Sequence, residues 1–396
     1  MRPFTLLIKP AGPDCNIACD YCFYACKTCI FGQGRHRMSS DVQETLVRSY
    51  MGLRFDGSSF AWQGGEPTLM GLDFYKRLVA LQQQYGHDGQ AVTNALQTNG
   101  ILLDDDWCRF LCEYKFLVGI SLDGPKHFHD IYRRDGAGRG TYDRVMAAID
   151  KCREHRVEFN ILVLLNDKNV EHPDELFDFF VKEQHIKYLQ FVQCVERDAA
   201  GRIAPFSITP QQYGDFLCRF FDRWLEYGPE QISIRSFDSV LSYLLGMGHT
   251  ECTLGPQCND YIVIEHNGDA FCCDFFVDEK WRLGNIMETP IEQLAAAKLK
   301  RQFSRNKQDI DNKCLVCRHL DICRGGCPKD RLAGAGTHKA PSYFCEGYRR
   351  FFDHTLPKFR EIAARLHRQN SAQANAVSRT QHRDGPAALV RRTEKR

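Results

Sequence analysis

Residues 15–29 read CNIACDYCFYACKTC. Five cysteines fall within this stretch, directly after an apolar run, Phe4–Ile8, and a Pro-Ala-Gly-Pro turn at 10–13. The order is strand, loop, thiols. Two overlapping C-x3-C-x2-C registers are present, Cys15/Cys19/Cys22 and Cys22/Cys26/Cys29. Three closely spaced thiols on a loop can hold one iron–sulfur cluster by three of its irons. The fourth iron then keeps the open position that a catalytic metal needs. A zinc knuckle or simple buried thiols compete for the same cysteines. The first register carries an aromatic, Tyr21, just before its last cysteine, where the second has Thr28.

Working outward, further short runs of β-branched, aliphatic and aromatic residues occur at 59–62, 91–98, 116–122, 159–165 and 188–192. Their near-continuous hydrophobicity is that of strands buried on both faces. Helical patterns lie between them near 40–53, 71–85, 104–114, 141–156 and 172–184, with Ser40 and Thr141 as expected N-caps. The alternation repeats about six times, which predicts an α/β fold with a parallel sheet and helices outside, an open or closed barrel. Chemistry in such folds sits at the strand exits. Here the exits read Gln63-Gly64-Gly65-Glu66-Pro67, Gln97-Thr98-Asn99-Gly100, Ser121-Leu122-Asp123-Gly124-Pro125, Leu165-Asn166 and Gln193-Cys194-Val195. Glycines at an exit let backbone approach a ligand closely, although a Gly-Gly pair alone is equally a tight turn.

The chain has 396 residues, enough for two or three domains at about 150 residues each. With 43% hydrophobic and 26% charged residues and a net charge of +2, it makes no overall electrostatic case for nucleic acid or anionic membranes. No apolar h-region opens it and no run of about 20 apolar residues occurs, so a cytoplasmic protein is expected. Nineteen cysteines, an odd number clustered as C-x2-C and C-x3-C, fit metal ligation better than disulfides.

Residues 209–227 read as an amphipathic helix capped by Thr209 with Pro210 in its first position. Ile232–Phe237 is strand-like, and a composition shift places a boundary near 240–250. Thiols then return at Cys252, Cys258, Cys273, Cys314, Cys317, Cys323, Cys327 and Cys345. Asn267-Gly268 between alternating residues predicts a two-residue hairpin carrying Cys258 and Cys273 on either side. Thr289-Pro290-Ile291-Glu292 reads as a capping box opening a helix to about 302. A final helix carries Phe351, Phe352, Leu356, Phe359, Ile362 and Leu366. The expected organisation is a barrel over 1–240, a cysteine-rich domain over 241–367 and a basic tail over 368–396, net +5, expected to be disordered.

These pieces resemble the radical S-adenosylmethionine (SAM) enzymes, on C-x3-C-x-aromatic-C after the first strand and Gly64-Gly65-Glu66-Pro67 after the second. The resemblance implies a partial (β/α)6 barrel, a 4Fe–4S cluster on Cys15, Cys19 and Cys22, and SAM held near Tyr21, Gly64, Gly65, Glu66, Ser121, Arg133 and Val195. The resemblance places Arg133 rather than Arg134 there; without it, both arginines read as a solvated face. The second cysteine field resembles the SPASM domain. It implies two auxiliary 4Fe–4S clusters, one on Cys252, Cys258, Cys273 and Cys327 and one on Cys314, Cys317, Cys323 and Cys345. Cys26, Cys29, Cys108, Cys112, Cys152, Cys194, Cys218 and Cys272 are left as ordinary thiols, with Cys108 and Cys112 expected as small packers on one helix face.

The whole pattern, from about residue 3 to 360, is similar to the anaerobic sulfatase-maturating enzymes. Leu6-Leu7-Ile8-Lys9-Pro10, Cys22-Phe23-Tyr24, Leu96-Gln97-Thr98-Asn99-Gly100 and the stretch from Cys273-Asp274-Phe275 to Gly284-Asn285-Ile286 carry that likeness. It implies oxidation of a Cys or Ser in a sulfatase Cys/Ser-x-Pro-x-Arg segment to Cα-formylglycine, with Asp274 as general base. Expected partners are an unfolded or nascent sulfatase polypeptide and an electron donor such as flavodoxin or ferredoxin, with no nucleic acid and no membrane, and the enzyme a monomer. Another SPASM-type peptide modifier, forming thioethers or crosslinks, and a non-catalytic zinc scaffold are the alternatives. Cys26, Cys29 and the basic tail depart from the pattern.

Overall fold

The computed structural model describes residues 1–383, with side chains described to Gln369. Twelve strands are present among them: β1 (Thr5–Lys9), β2 (Ile17–Cys19), β3 (Gly57–Trp62), β4 (Ala91–Thr98), β5 (Leu117–Ser121), β6 (Arg133–Asp135), β7 (Phe159–Leu165), β8 (Tyr188–Gln193), β9 (Ser233–Ile234), β10 (Tyr261–Glu265), β11 (Asp269–Phe271) and β12 (Arg282–Asn285). Ten of them form one sheet in the order β12-β11-β10-β1-β3-β4-β5-β7-β8-β9, and β2 pairs with β6 apart from it.

The six strands expected from the sequence, β1, β3, β4, β5, β7 and β8, are all parallel and adjacent, and helices follow them. Leu6, Ile8, Trp62, Leu96, Val118, Ile120, Ile161 and Val163 are fully buried along them, as a parallel sheet covered on both faces requires. This is the partial α/β barrel. The cysteine-rich region does not stand apart from it: β10 pairs in parallel with β1, Leu6 opposite Ile262 and Lys9 opposite Glu265, and β11 and β12 extend the same sheet antiparallel.

Local features depart from the sequence reading in several places. Ser39, not Ser40, caps the helix Ser40–Met51, its hydroxyl accepting from Val42 N–H. Thr141 occupies the N-cap of the helix Tyr142–Glu154 but makes no capping bond, because its hydroxyl donates to the Arg133 carbonyl instead. The strand-like run at 232–237 yields only the short β9 before turning helical at Arg235. The hairpin loop holds three residues, His266 to Gly268, because Ile264 pairs with Ala270; Gly268 closes it at φ +88°. The expected capping box at 289–292 does not form: Pro290 is the N-cap, and Ile291–Ala295 and Lys298–Gln308 are separate helices. Cys108 is buried beside Cys152, with sulfurs 3.9 Å apart, whereas Cys112 is exposed and packs no core.

The helix Pro210–Tyr227 has the expected Thr209 cap, completed by Gln212 as a capping box. Its buried stripe packs on the C-terminal helix, with Phe221 and Phe359 ring centres 4.7 Å apart. That helix runs without a break from Cys345 through Arg383, past the point where the sequence placed the start of a disordered tail. Residues 384–396 of the tail lie outside the described residues.

Candidate active site

The loop after β1 is fixed by the exit of β3. Gly65 N–H donates to the Gly12 carbonyl at 2.9 Å and Glu66 N–H to the Asp14 carbonyl at 2.7 Å. Only glycine fits at 65: a Cβ there would lie 1.9 Å from the Asp14 oxygen. The Glu66 side chain is 1% exposed. Its carboxylate accepts from Thr68 N–H, the hydroxyls of Thr68 and Thr98, and Asn99 N–H. The Gly-Gly-Glu sequence therefore welds the cysteine loop to the exits of β3 and β4.

Cys15, Cys19 and Cys22 gather on this loop, and a charge on Cys22 holds the Cys15 and Cys19 thiols further from ionising. Burial pushes Cys15 up to about 11, with Glu66 and Cys22 adding; Asn99 Nδ2 reaches its sulfur at 3.7 Å. Burial pushes Cys19 up to about 12, opposed by Arg133 and reinforced by Cys22 and Cys15. Such a cluster of thiols binds as thiolates only with a cationic metal to hold them. Cys26 and Cys29 are exposed on the next turn, and neither features in the environment of Cys15 or Cys19.

Arg133 lies opposite Cys19 across β2 and β6, its Nη1 4.0 Å from the sulfur. It is 6% exposed, whereas Arg134 reaches outward to Asp20. Burial works against the Arg133 cation, but Asp123, Tyr21 and Cys19 together hold it firmly protonated. Asp123 is the hub here. It accepts from Arg133 Nε at 2.9 Å and Nη2 at 3.2 Å, from the Tyr21 hydroxyl and from Leu164 N–H. Behind it His129 Nδ1 accepts the Asp123 N–H at 3.3 Å, which places the ring proton on Nε2 facing Thr141 Oγ1 at 3.0 Å. Ser121 Oγ accepts from Gln97 Nε2 at 3.2 Å, and Val195 is fully buried at the exit of β8. In the sequence Asp123 stands only as part of the third polar exit, and its one signal is a lone acid at the end of an apolar strand.

Asp274 follows Cys273 after β11 and is 8% exposed. Its Oδ2 accepts from Gln63 Nε2 at 3.2 Å and faces Lys9 Nζ at 3.8 Å. Its Oδ1 accepts from the Tyr261 hydroxyl at 3.1 Å, and that hydroxyl is 3.0 Å from Cys273 Sγ. The acid thus joins the exits of β1 and β3 to the second cysteine field. Lys9 and Gln63 stand in the quoted motifs without a role of their own, and Tyr261 has no sequence signal. A lysine ending an otherwise apolar buried strand was the signal for the first.

The second field surrounds two cavities. One is lined by Cys252, Cys258, Cys273 and Cys327, with Cys272 beside them. The other is lined by Cys314, Cys317, Cys323 and Cys345. The crossed grouping of Cys327 and Cys345 expected by resemblance is the grouping of the cavity walls. Each wall brings four such cysteines together, a donor set that fits a 4Fe–4S cluster, and burial pushes Cys252 and Cys323 each up to about 11.

Comparison with known proteins follows the same division. Residues 10–180 match the Radical SAM superfamily and residues 252–318 the iron–sulfur cluster-binding SPASM domain. The cysteine-type anaerobic sulfatase-maturating enzyme of Clostridium perfringens is 35% identical, over 92% of this chain and 99% of that protein. The chain belongs to the anaerobic sulfatase-maturating enzymes. The serine-type enzyme of Bacteroides thetaiotaomicron is also 35% identical, over 90% of each chain. The structure of native anSMEcpe with bound AdoMet and the Cp18Cys peptide superposes with a TM-score of 0.86 at 34% identity, covering 92% of this chain and all of that one. As a radical SAM and SPASM protein this family member uses SAM and multiple 4Fe–4S clusters, which removes the zinc-scaffold reading. Among the described residues no helix is long and apolar enough to cross a membrane.

Proposed function

We propose that this enzyme oxidises a cysteine or serine of a sulfatase polypeptide, in a Cys/Ser-x-Pro-x-Arg segment, to Cα-formylglycine. The observation that carries the reading is Asp274: a buried carboxylate one residue from a cavity-lining cysteine, facing the barrel exits. When bound, SAM with its cluster supplies a hydrogen-abstracting radical, and the auxiliary clusters supply an electron sink. Asp274 takes the proton from the substrate thiol or hydroxyl as general base. With the Cβ hydrogen and one further electron removed, serine gives the aldehyde directly, and cysteine gives a thioaldehyde that water converts to the aldehyde with release of sulfide. Gln63 and Tyr261 fix one oxygen each, and Lys9 supplies the facing positive charge.

Cys15, Cys19 and Cys22 hold the SAM cluster, and the two quartets of the second field hold the auxiliary clusters. Gly64, Gly65 and Ser121 give SAM close backbone approach and a hydroxyl. Tyr21, Glu66, Arg133 and Val195 form the pocket wall, the polar ones already partnered within it. The enzyme acts as a cytoplasmic monomer on unfolded or nascent sulfatase and draws electrons from flavodoxin or ferredoxin. The test is anaerobic incubation of reduced holoprotein and SAM with Cys and Ser forms of a sulfatase-motif peptide, followed by aldehyde detection. Aldehyde from at least one peptide is expected; aldehyde from neither favours a thioether- or crosslink-forming modifier.

A further inference from the structure

Three buried cations stand around the second cysteine field. Lys300, Lys307 and Arg331 are 4%, 1% and 0% exposed. Every hydrogen bond they make ends on a backbone carbonyl. Lys300 Nζ donates to Tyr261 at 2.7 Å and Cys272 at 2.9 Å. Lys307 Nζ donates to Cys252 at 2.8 Å, Thr253 at 2.7 Å and Gly326 at 3.2 Å. Arg331 donates to several carbonyls, the tightest being Gly325 at 2.9 Å and Lys307 at 3.0 Å. Carbonyls orient a cation but bring no charge, and a buried cation without a counter-charge is costly.

The counter-charge is in the cysteines. Lys307 lines the cavity with Cys252, Cys258, Cys273 and Cys327. Burial works against the Lys300 charge, and Cys272, Cys273, Cys258 and Asp260 favour it. Asp330, the carboxylate that Lys307 influences, accepts from Gln193 instead. Arg331 donates to the carbonyls of Gly325, which lines one cavity, and Lys307, which lines the other, and so bridges the two; burial works against its cation, and Cys314, Cys327, Cys258 and Cys323 favour it. The fold therefore fixes positive charge where its thiols gather.

A 4Fe–4S cluster on four thiolates is an anion, and one-electron reduction makes it more negative. Its potential depends on surrounding charge and burial. We propose that Lys300 and Lys307 are positioning charges that raise the reduction potential of the cluster on Cys252, Cys258, Cys273 and Cys327, with Arg331 shared between both auxiliary clusters. The carbonyl cages hold these charges in place, so they stabilise the added electron without rearranging. That poises the cluster nearest Asp274 to accept the electron left behind by substrate oxidation. The inference rests on the cluster reading above, not on the identity of the peptide.

The test is EPR-monitored redox titration of anaerobically reconstituted full-length Lys307→Gln, with Lys307→Arg as the charge-keeping partner and iron counted per chain. For Lys307→Gln we expect at least about a tenfold fall in the reduced-to-oxidised ratio of that cluster at a given poise, about 59 mV for a one-electron couple. Lys307→Arg should restore it, and the SAM-binding cluster should not move. An unchanged potential in Lys307→Gln, or equal shifts in both variants, overturns the proposal. If Lys307→Gln loses the cluster, its retention in Lys307→Arg supports the charge requirement, and loss in both overturns it. The wild-type aldehyde assay fails or succeeds independently of this comparison, so the two readings are separable.

Discussion

Gly65→Ala tests whether the β3 exit sets the geometry of the first cysteine loop. A Cβ at 65 would sit 1.9 Å from the Asp14 oxygen, 2.5 Å from its carbonyl carbon and 2.8 Å from that of Pro13. All three are backbone atoms, so no side-chain rotation relieves the clash. To reach ordinary contact the loop must retreat by about 1.5 Å. That retreat also pulls apart the Gly65–Gly12 and Glu66–Asp14 hydrogen bonds. Overpacking costs about 1–3 kcal/mol and each lost bond about 0.5–1.5 kcal/mol, so the attachment loses about 2–6 kcal/mol. Asp14 directly precedes Cys15, and a functional constellation tolerates only about 0.5 Å of displacement. We expect a folded protein that keeps both auxiliary clusters but not the SAM-binding one, iron falling from about twelve to about eight per chain. Gly136→Ala is the control, since a Cβ there meets nothing within 4 Å and its φ is ordinary. Iron and sulfide analysis with SAM-binding measurements provides the readout. Full iron and unchanged SAM affinity in Gly65→Ala would refute the reasoning.

Asp274→Asn should keep all three clusters, because the amide still fits between Gln63 and Tyr261, yet slow aldehyde formation by about 10²–10⁴-fold; wild-type rates would remove the base assignment. Asp123→Ala strands the Arg133 cation in a buried site and should destabilise the fold by about 3–5 kcal/mol in denaturant titrations, whereas a loss below about 1 kcal/mol would show the hub to be dispensable. Burial pushes His129 down to about 4, opposed by Asp123. A histidine depressed in the fold contributes stability fully present above about 6.5 and lost as pH falls toward 4. Holoprotein should therefore be about 1 kcal/mol less stable at about pH 5.5 than at about pH 7.5 on this account, and His129→Gln should lack that component; parallel pH slopes in the two proteins would exclude it.

The barrel was legible because buried parallel strands write themselves as short apolar runs, and six of these fell where the strands lie. What could not be read was the junction. Nothing in Tyr261–Glu265 distinguishes a strand of a separate domain from one that pairs with β1; only the register of Lys9 against Glu265 shows that the sheet continues. Local signals failed where a tertiary partner outbid them. Thr141 has the right chemistry for a cap, but its hydroxyl is spent on the Arg133 carbonyl, in the network that supports Asp123. The Thr289 cap failed for a local reason instead, because the helix starts one residue later and Pro290 takes the N-cap position.

The site shows the same division between spacing and supporting shell. Cysteines announce themselves by spacing, and each quartet implied by the resemblance lines one cavity, with Cys272 as a fifth thiol in the first. The residues that make those thiols useful carry no spacing signature. Lys300 and Lys307 lie seven apart on the helix Lys298–Gln308, among five basic residues, where a sequence reader sees a solvated face. Their burial appears only once the loops carrying Cys252, Cys272 and Gly326 close over them. A cation buried on carbonyls alone is unfavourable by itself, so the second cysteine field should be least stable without its clusters. The charge that makes the empty fold costly is the charge that makes the loaded cluster easier to reduce.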